Sequence, residues 1–470
     1  MEPARVLLRD PVHGDVALSR EELRILDTVE MQRLRNVRQL GAAYLVYPGA
    51  QHSRFEHSIG TAHMVEVLAR EINAARDREG GGRLGGYDEH EIRILRLAAL
   101  VHDATHLPFG HNIEDQTGLL PRHDTAGRYE RLFSTETDLG RALAATGVRE
   151  EVLGVLAPEA VGPDRQPPPH WRELVSGTID ADMLDYLARD ARFTGLRLEV
   201  DPRILRVFRV ERRSQRLFVD LTRRGYLREA LLSEVLRCLE ARFYFSERVY
   251  FHHAKIAAGA LVAKAVEIAL LHGALCFEDL QRATDAGLID LLERARIRDA
   301  AGRSRLQTFV EAFRRRRLPK RVAVFPVYAN REIQGSLIER FFGTGSAEER
   351  RRVEDRMGEA VRFAAGRDVP VLLYCPAGSM QLKQARILVR WPGEEDLSPL
   401  REHAAEVPRL GDLERAYERM WKFYVLALTD DPRTLAALRE VCAGEFPEAV
   451  NVLAPPGGTE NLASPAGGIP

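Results

Sequence analysis

The chain has 470 residues, 45% hydrophobic and 29% charged, which suits a folded globular protein too long for one small core. Its 68 basic and 69 acidic side chains nearly cancel, so no global field recruits nucleic acid or an anionic membrane surface. No run approaches the ~18 apolar residues of a membrane span, and the opening MEPARVLLRDPVHGDVAL lacks the parts of a signal peptide, so a cytoplasmic location is expected.

In chain order, a short strand-like segment comes first, and helical periodicity then prevails to about residue 275. QHSRFEHSIGTAHMVEVLARE begins a helix that sets Arg54, His57 and Gly60 on one face by three-residue steps. REGGGRLGGYD (78–88) marks a loop, and YDEHEIRILRLAALVHD follows as a helix. Asp88 and Glu91 form a capping-box pattern there, and Ile92, Leu95, Ala99 and His102 share a face. PDRQPPPHW (163–171) is another loop, and GTIDADMLDYLARDARFTG places Asp182, Tyr186 and Asp190 on one helical stripe. From about 320 the runs RVAVFPVYA, DVPVLLYC and QARILVRW read as short strands, mixed with the helix AEERRRVEDRMGEAVRFAA. The expectation is a mainly α protein: a helical domain over 1–320, a smaller α+β lobe over 321–450, and a disordered tail over 451–470. The four cysteines are far apart, with no CxxC pair, and read as buried thiols.

The chemistry concentrates in AALVHDATHLPFGH (98–111), which holds three of the chain's 14 histidines and an aspartate behind an apolar run. An imidazole and a carboxylate at adjacent positions of a helix end can reach one cation. A mixed N/O donor set suits Fe, Mn, Zn, Ni or Co better than Ca. An HD dipeptide alone means little. With His57 before it and Asp182 after it, it becomes an ordered H…HD…D set.

The stretches RDPVHGDVAL, ILDTVEMQRLRNVRQLG, YLVYPGAQHSRFEHSIG, LVHDATHLPFGH and IDADMLDYLARD carry a resemblance to the HD-domain phosphohydrolase superfamily. The likeness is to its deoxynucleoside triphosphate triphosphohydrolase branch, whose vertebrate members join a sterile alpha motif to the HD domain. It spans most of residues 8–255. It implies an HD-type helical core and a metal held by His57, His102, Asp103 and Asp182. It also implies attack of metal-activated water at the α-phosphorus of a dNTP, releasing deoxynucleoside and triphosphate. His106 would stabilise charge on the α-phosphate or move a proton, and His123 would be the general acid, backed by Glu114. Arg54 would contact the α-phosphate, with Mg on the substrate phosphates as a further cation. His111, Arg242 and Tyr250 would contact phosphates and sugar, Tyr186 and Asp190 the sugar edge. Gln39 would read the 3′-hydroxyl, while Leu40 fills the space of a 2′-hydroxyl.

The resemblance also implies a homo-oligomer, dimer or tetramer, with an activating nucleotide at Asp27, Gln32, Arg35, Arg316 and Lys320. The last two belong to the basic run AFRRRRLPKRV (312–322). Such a run is usually a solvated helix face; nucleic acid could use the same patch, although no aromatic interleaving supports it. Three departures stand out: Met183, His253 and Val6 occupy positions where the family's pattern has lysine. The loss of cations around a triphosphate leaves open an HD phosphohydrolase of nucleoside mono- or diphosphates. A nucleotide-sensing or nucleic-acid-binding protein with a vestigial centre is a third reading. An HD-fold oxygenase, with His106 and His123 at a second iron, is a fourth.

Overall fold

A computed structural model describes residues 5–117, 120–343, 345–366, 368–376 and 383–453. Helix accounts for 58% and strand for 11%, so the mainly α class with small sheets holds. The chain divides into two compact units, Met1–Leu318 with Ser379–Met420, and Pro319–Gly378 with Trp421–Pro470.

The first unit opens with an antiparallel hairpin, Val6–Asp10 against Gly14–Leu18. Its core is built on the helix Arg54–Arg78, which packs against Glu89–Val101 and against Ala181–Thr194. Each of the three begins with a side chain that satisfies its free N–H groups. Ser53 and Asp88 form reciprocal capping boxes with Glu56 and Glu91, and Asp180 accepts from Met183 N at 2.7 Å.

The helix Glu89–Val101 goes further than its one-faced pattern implied. Ile92 and every residue from Ile94 to Val101 are buried, Arg96 included. A buried guanidinium is tolerable because it is paired. Arg96 bonds Glu22 at 2.6 and 3.1 Å and also meets Glu66.

A five-stranded sheet in the order Ser398–Pro399, Leu388–Arg390, Arg216–Asp220, Phe208–Glu211, Leu84–Gly85 completes this unit. Here the domain expectation differs from the structure. The strand read in QARILVRW pairs parallel to Arg216–Asp220, with Val389 opposite Val219. Residues 383–420 therefore return to the first unit instead of extending a lobe over 321–450. Nothing local in a three-residue strand specifies so distant a partner.

In the second unit Lys422–Ala427 lies antiparallel between Lys320–Pro326 and Val371–Tyr374. Phe325, Phe341, Phe423 and Phe446 pack there with ring centroids 5.4–5.8 Å apart. The cysteine reading needs one correction: Cys276 is exposed at a helix start, whereas Cys238, Cys375 and Cys442 are buried. The expected tail over 451–470 lies, from 454 onward, outside the described residues. Among the described residues no helix is long and apolar enough to cross a membrane.

Candidate metal centre

Three helix ends meet at one point. His57 sits in the first turn of Arg54–Arg78, His102 is the C-terminal cap of Glu89–Val101, and Asp182 lies in the first turn of Ala181–Thr194. His57 Nε2 is 2.9 Å from Asp182 Oδ1 and 3.8 Å from Asp103 Oδ2. His102 Nε2 is 3.5 Å from Asp103 Oδ1 and 3.7 Å from Asp182 Oδ1. His57, His102 and Asp103 each offer a ligand atom within 4.8 Å of the others.

The far side of each imidazole is tied down. His57 Nδ1 bonds Asp185 Oδ2 at 2.7 Å, and His102 Nδ1 bonds Ala99 O at 2.7 Å. Both Nε2 atoms are buried without a hydrogen bond. Unsatisfied buried nitrogens facing two carboxylates are costly alone, and a cation between them would satisfy all four groups. The donors fit a divalent transition metal. Asp182 is the one part-exposed member, its side chain 28% accessible against 0% for His57, so the centre opens on that side.

The charges agree with such a use. Burial alone would depress the His57 imidazole, but Asp182 and Asp185 outweigh it and raise it to about 10. Burial would raise Asp182 and Asp103. His102 and His57 hold the first well below the carboxylate range, and Arg54 with His102 and His106 does so for the second.

Behind His57 lies a group the sequence reading missed. Arg189, fully buried, binds Asp185 through Nε and Nη2, both at 2.9 Å, and Asp10 at 2.9 Å. Asp185 also meets His13 Nε2 at 2.6 Å. The signal was available, since Asp182, Asp185 and Arg189 follow at three- and four-residue steps in one helix. Gly60 is what lets this pair reach His57. A Cβ there would lie 1.9 Å from Asp185 Oδ1 and 2.3 Å from Arg189 Nη2. Gly60→Ala should therefore lower stability by about 1–3 kcal/mol despite its better helix propensity. Denaturant melts check this, and an unchanged midpoint would contradict it.

Beside the candidate metal ligands stands a second histidine group. Arg54 Nη1 binds Asp103 Oδ2 at 2.5 Å, and His106 Nε2 lies 3.3 Å from Asp103 Oδ1. The His106 ring stacks on His123 at 3.6 Å, and His111 packs edge-on to both at 5.1 and 4.9 Å. His123 Nδ1 bonds Glu114 Oε2 at 2.8 Å. Burial, Arg54 and His123 push His106 well below the ordinary imidazole value, so it is neutral at neutral pH. Glu114 is held below the carboxylate range against its own burial, chiefly by its bond to His123.

A polar wall continues from the centre. Tyr186 lies 6.5 Å from the His57 ring and 6.4 Å from Tyr250, and Arg242 sits over it at 5.6 Å. Tyr250 Oη donates to Asp190 Oδ2 at 2.6 Å, and His52 Nε2 meets Asp190 Oδ1 at 2.9 Å. The hydroxyl of Tyr186, Nε of Arg242 and Oε1 of Gln39 are buried without a hydrogen-bond partner. Gln39 joins through its backbone, whose N–H donates to His52 O at 3.1 Å, and Leu40 next to it is buried. A five-residue π turn, Ser246–Tyr250, after the helix Glu229–Phe245 sets Tyr250 on this wall. Met183 is buried packing.

The expected activator positions are divided. Gln32 and Arg35 bond each other at 2.8 Å near exposed Asp27. Arg316 donates to Leu45 O at 2.9 Å, and Lys320 begins a strand of the second unit. Much of the basic run is internally neutralised: Arg314 pairs with Asp290 and Glu293, and Arg315 and Arg317 with Glu311.

Comparison with known proteins accords with this geometry. The HD domain family matches residues 54–147, and the HD associated region matches 230–435. An uncharacterized protein of Methanocaldococcus jannaschii, MJ1154, is 30% identical over 289 residues, covering 61% of this chain and 54% of that protein. YwfO of Bacillus subtilis, also uncharacterized, is 31% identical over 55% of this chain and 54% of its own length. The deoxynucleoside triphosphate triphosphohydrolase SAMHD1 of Gallus gallus is 32% identical over 42% of this chain and 36% of its own. The chain thus matches about half the length of the first two relatives and about a third of the last. A crystal structure of a hypothetical protein from Aquifex aeolicus shares the fold, with a TM-score of 0.64 and 22% identity, over 93% of this chain and 99% of that one. The chain carries an HD domain and an HD associated region, and over 42% of its length it is similar to a deoxynucleoside triphosphate triphosphohydrolase.

Proposed function

We propose that the protein is a metal-dependent phosphohydrolase that cleaves dNTPs to deoxynucleoside and triphosphate. The observation that carries this reading is the convergence of two buried, unsatisfied imidazole nitrogens with Asp103 and Asp182 beside a carboxylate-backed histidine. His57, His102, Asp103 and Asp182 would hold an Fe, Mn, Zn, Ni or Co ion, with Mg accompanying the substrate phosphates. Such an ion lowers the pKa of a water and polarises a phosphoryl oxygen.

The chain's own groups supply the rest. Arg54, paired with Asp103, would contact the α-phosphate with its guanidinium. Neutral His106 can donate its one N–H to a phosphoryl oxygen, stabilising charge there without itself being a cation. Glu114 accepts from His123 Nδ1–H, which orients the ring and leaves Nε2 to protonate the departing 5′-oxygen. As the oxygen of water bonds to phosphorus, the bond from phosphorus to that 5′-oxygen breaks. The Tyr186, Asp190, Arg242 and Tyr250 wall, with His111, would contact sugar and phosphates, and Gln39 the 3′-hydroxyl. Leu40 would crowd a 2′-hydroxyl and so favour deoxynucleotides.

His123→Ala should keep its metal but lose about 10²–10⁴-fold in turnover. Metal analysis with single-turnover kinetics checks both halves, and an unchanged rate removes His123 as the acid. The substrate reading is tested on metal-loaded protein with a panel of dNTPs, NTPs and nucleoside mono- and diphosphates, separated by chromatography. Tripolyphosphate from dNTPs alone is expected. Orthophosphate from a mono- or diphosphate would replace the reading. For partners, the support is the resemblance: a homo-oligomer, dimer or tetramer, with an activating nucleotide at Asp27, Gln32, Arg35, Arg316 and Lys320.

A further inference from the structure

Asp285 is the first residue of the helix Asp285–Arg294, yet it does not cap that helix. Thr284 does so, its hydroxyl accepting from Gly287 N at 3.1 Å. The carboxylate, only 1% exposed, is thereby left for other partners, and it finds them far away in sequence. Oδ1 accepts from Phe109 N at 2.9 Å, 176 positions away, and Oδ2 from Arg38 N at 3.0 Å, 247 positions away. The Arg38 side chain adds a contact to Oδ2 at 3.3 Å.

Both partners adjoin the site. Arg38 directly precedes Gln39 and Leu40. Phe109 lies between His106 and His111, and its backbone is strained. Its φ of 59° is in the left-handed region, as is that of Gly110 at 50°. Two consecutive left-handed residues turn the chain so that His106 and His111 face each other. A bulky residue holds that conformation only where the surroundings impose it. The ring of Phe109 is buried edge-on against Phe313 at 5.5 Å, and its N–H is held by Asp285. The same corner is tied a second time by Arg33. It donates to Ala283 O at 3.0 Å and to His106 O at 2.7 Å.

We infer that Asp285, from the HD associated region, is a positioning residue that locks the Arg38–Leu40 loop and the His106–His111 loop into one register. Through it, the segment that would read the sugar and the segment that would face the phosphates cannot shift independently. Among the described residues its carboxylate bonds Arg38 and Phe109 and none of the candidate metal ligands, so metal retention is expected to be independent of it.

The inference rests on the proposed dNTP reaction only in its kinetic arm, and the test separates the two. Asp285→Ala and the more conservative Asp285→Asn are compared with unaltered protein, all metal-loaded. Amide hydrogen exchange should show both 37–40 and 104–111 losing protection together in Asp285→Ala, with metal content unchanged. With nucleotides, kcat should fall about ten- to hundredfold. The ratio of kcat/KM for a dNTP over the matching NTP should fall severalfold, with Asp285→Asn intermediate. That ratio is independent of the fraction of folded enzyme, so general destabilisation would not move it. Unchanged exchange in either segment, or a discrimination ratio equal to that of unaltered protein, overturns the inference. Lack of dNTP turnover in unaltered protein overturns the proposed function instead, while the exchange result still decides the lock.

Discussion

Asp182→Ala should leave the protein unable to retain a transition metal and reduce turnover below about one-hundredth of its original rate. Changing groups that merely support metal ligands already costs about 10–100-fold, and Asp182 faces the centre directly. It is also the only member of the four placed at the open side, so truncation removes a donor without emptying the core. His102→Ala should have the same chemical effect with a larger loss of stability, because His102 is buried and its Nδ1 bond to Ala99 O ties off a helix end. Metal content after dialysis, measured beside thermal melts, separates the two contributions. Normal metal retention in either variant would dismiss the ligand assignment.

The second large effect is on folding. Asp185→Ala should cost about 3–5 kcal/mol, since it strips a fully buried guanidinium of its bidentate partner and leaves Arg189 with Asp10 alone. It also frees His57 Nδ1, so metal affinity should fall in the same variant. Burial acts to raise the Asp185 carboxyl, but Arg189, His13 and His57 hold it well below its ordinary value. A carboxylate depressed on folding stabilises the protein above its unfolded-state pKa. That contribution is lost as pH falls through the lower folded-state value. Unaltered protein should therefore lose stability on acidification more steeply than Asp185→Ala. Urea melts across pH decide it, and parallel curves would remove Asp185 as a contributor.

The contrast between Asp182 and Asp185 shows what the sequence could convey. Asp182 was legible because its residue type, its place at a helix start and its order after His57 and the His102–Asp103 pair all pointed to one cation. The three-residue step to Asp185 was equally visible. Its job depends also on Asp10 and His13 arriving from the N-terminal hairpin, which spacing does not report. The same limit explains Asp285 and His52, whose partners are backbone groups or side chains far along the chain. The capping boxes at Ser53 and Asp88 and the helices they start were local features, and local features were readable. The parallel strand Leu388–Arg390 was not, because its partner lies about as far away as the site residues lie from Asp285.

In the proposed reaction the oxygen of water joins the α-phosphorus while His123 protonates the leaving 5′-oxygen. Metal-loaded protein is incubated with a dNTP in H₂¹⁸O, and the products are separated and weighed by mass spectrometry. One ¹⁸O in tripolyphosphate and none in the deoxynucleoside is the expected result. Label in the deoxynucleoside, or label recovered as orthophosphate or pyrophosphate in place of tripolyphosphate, would contradict it.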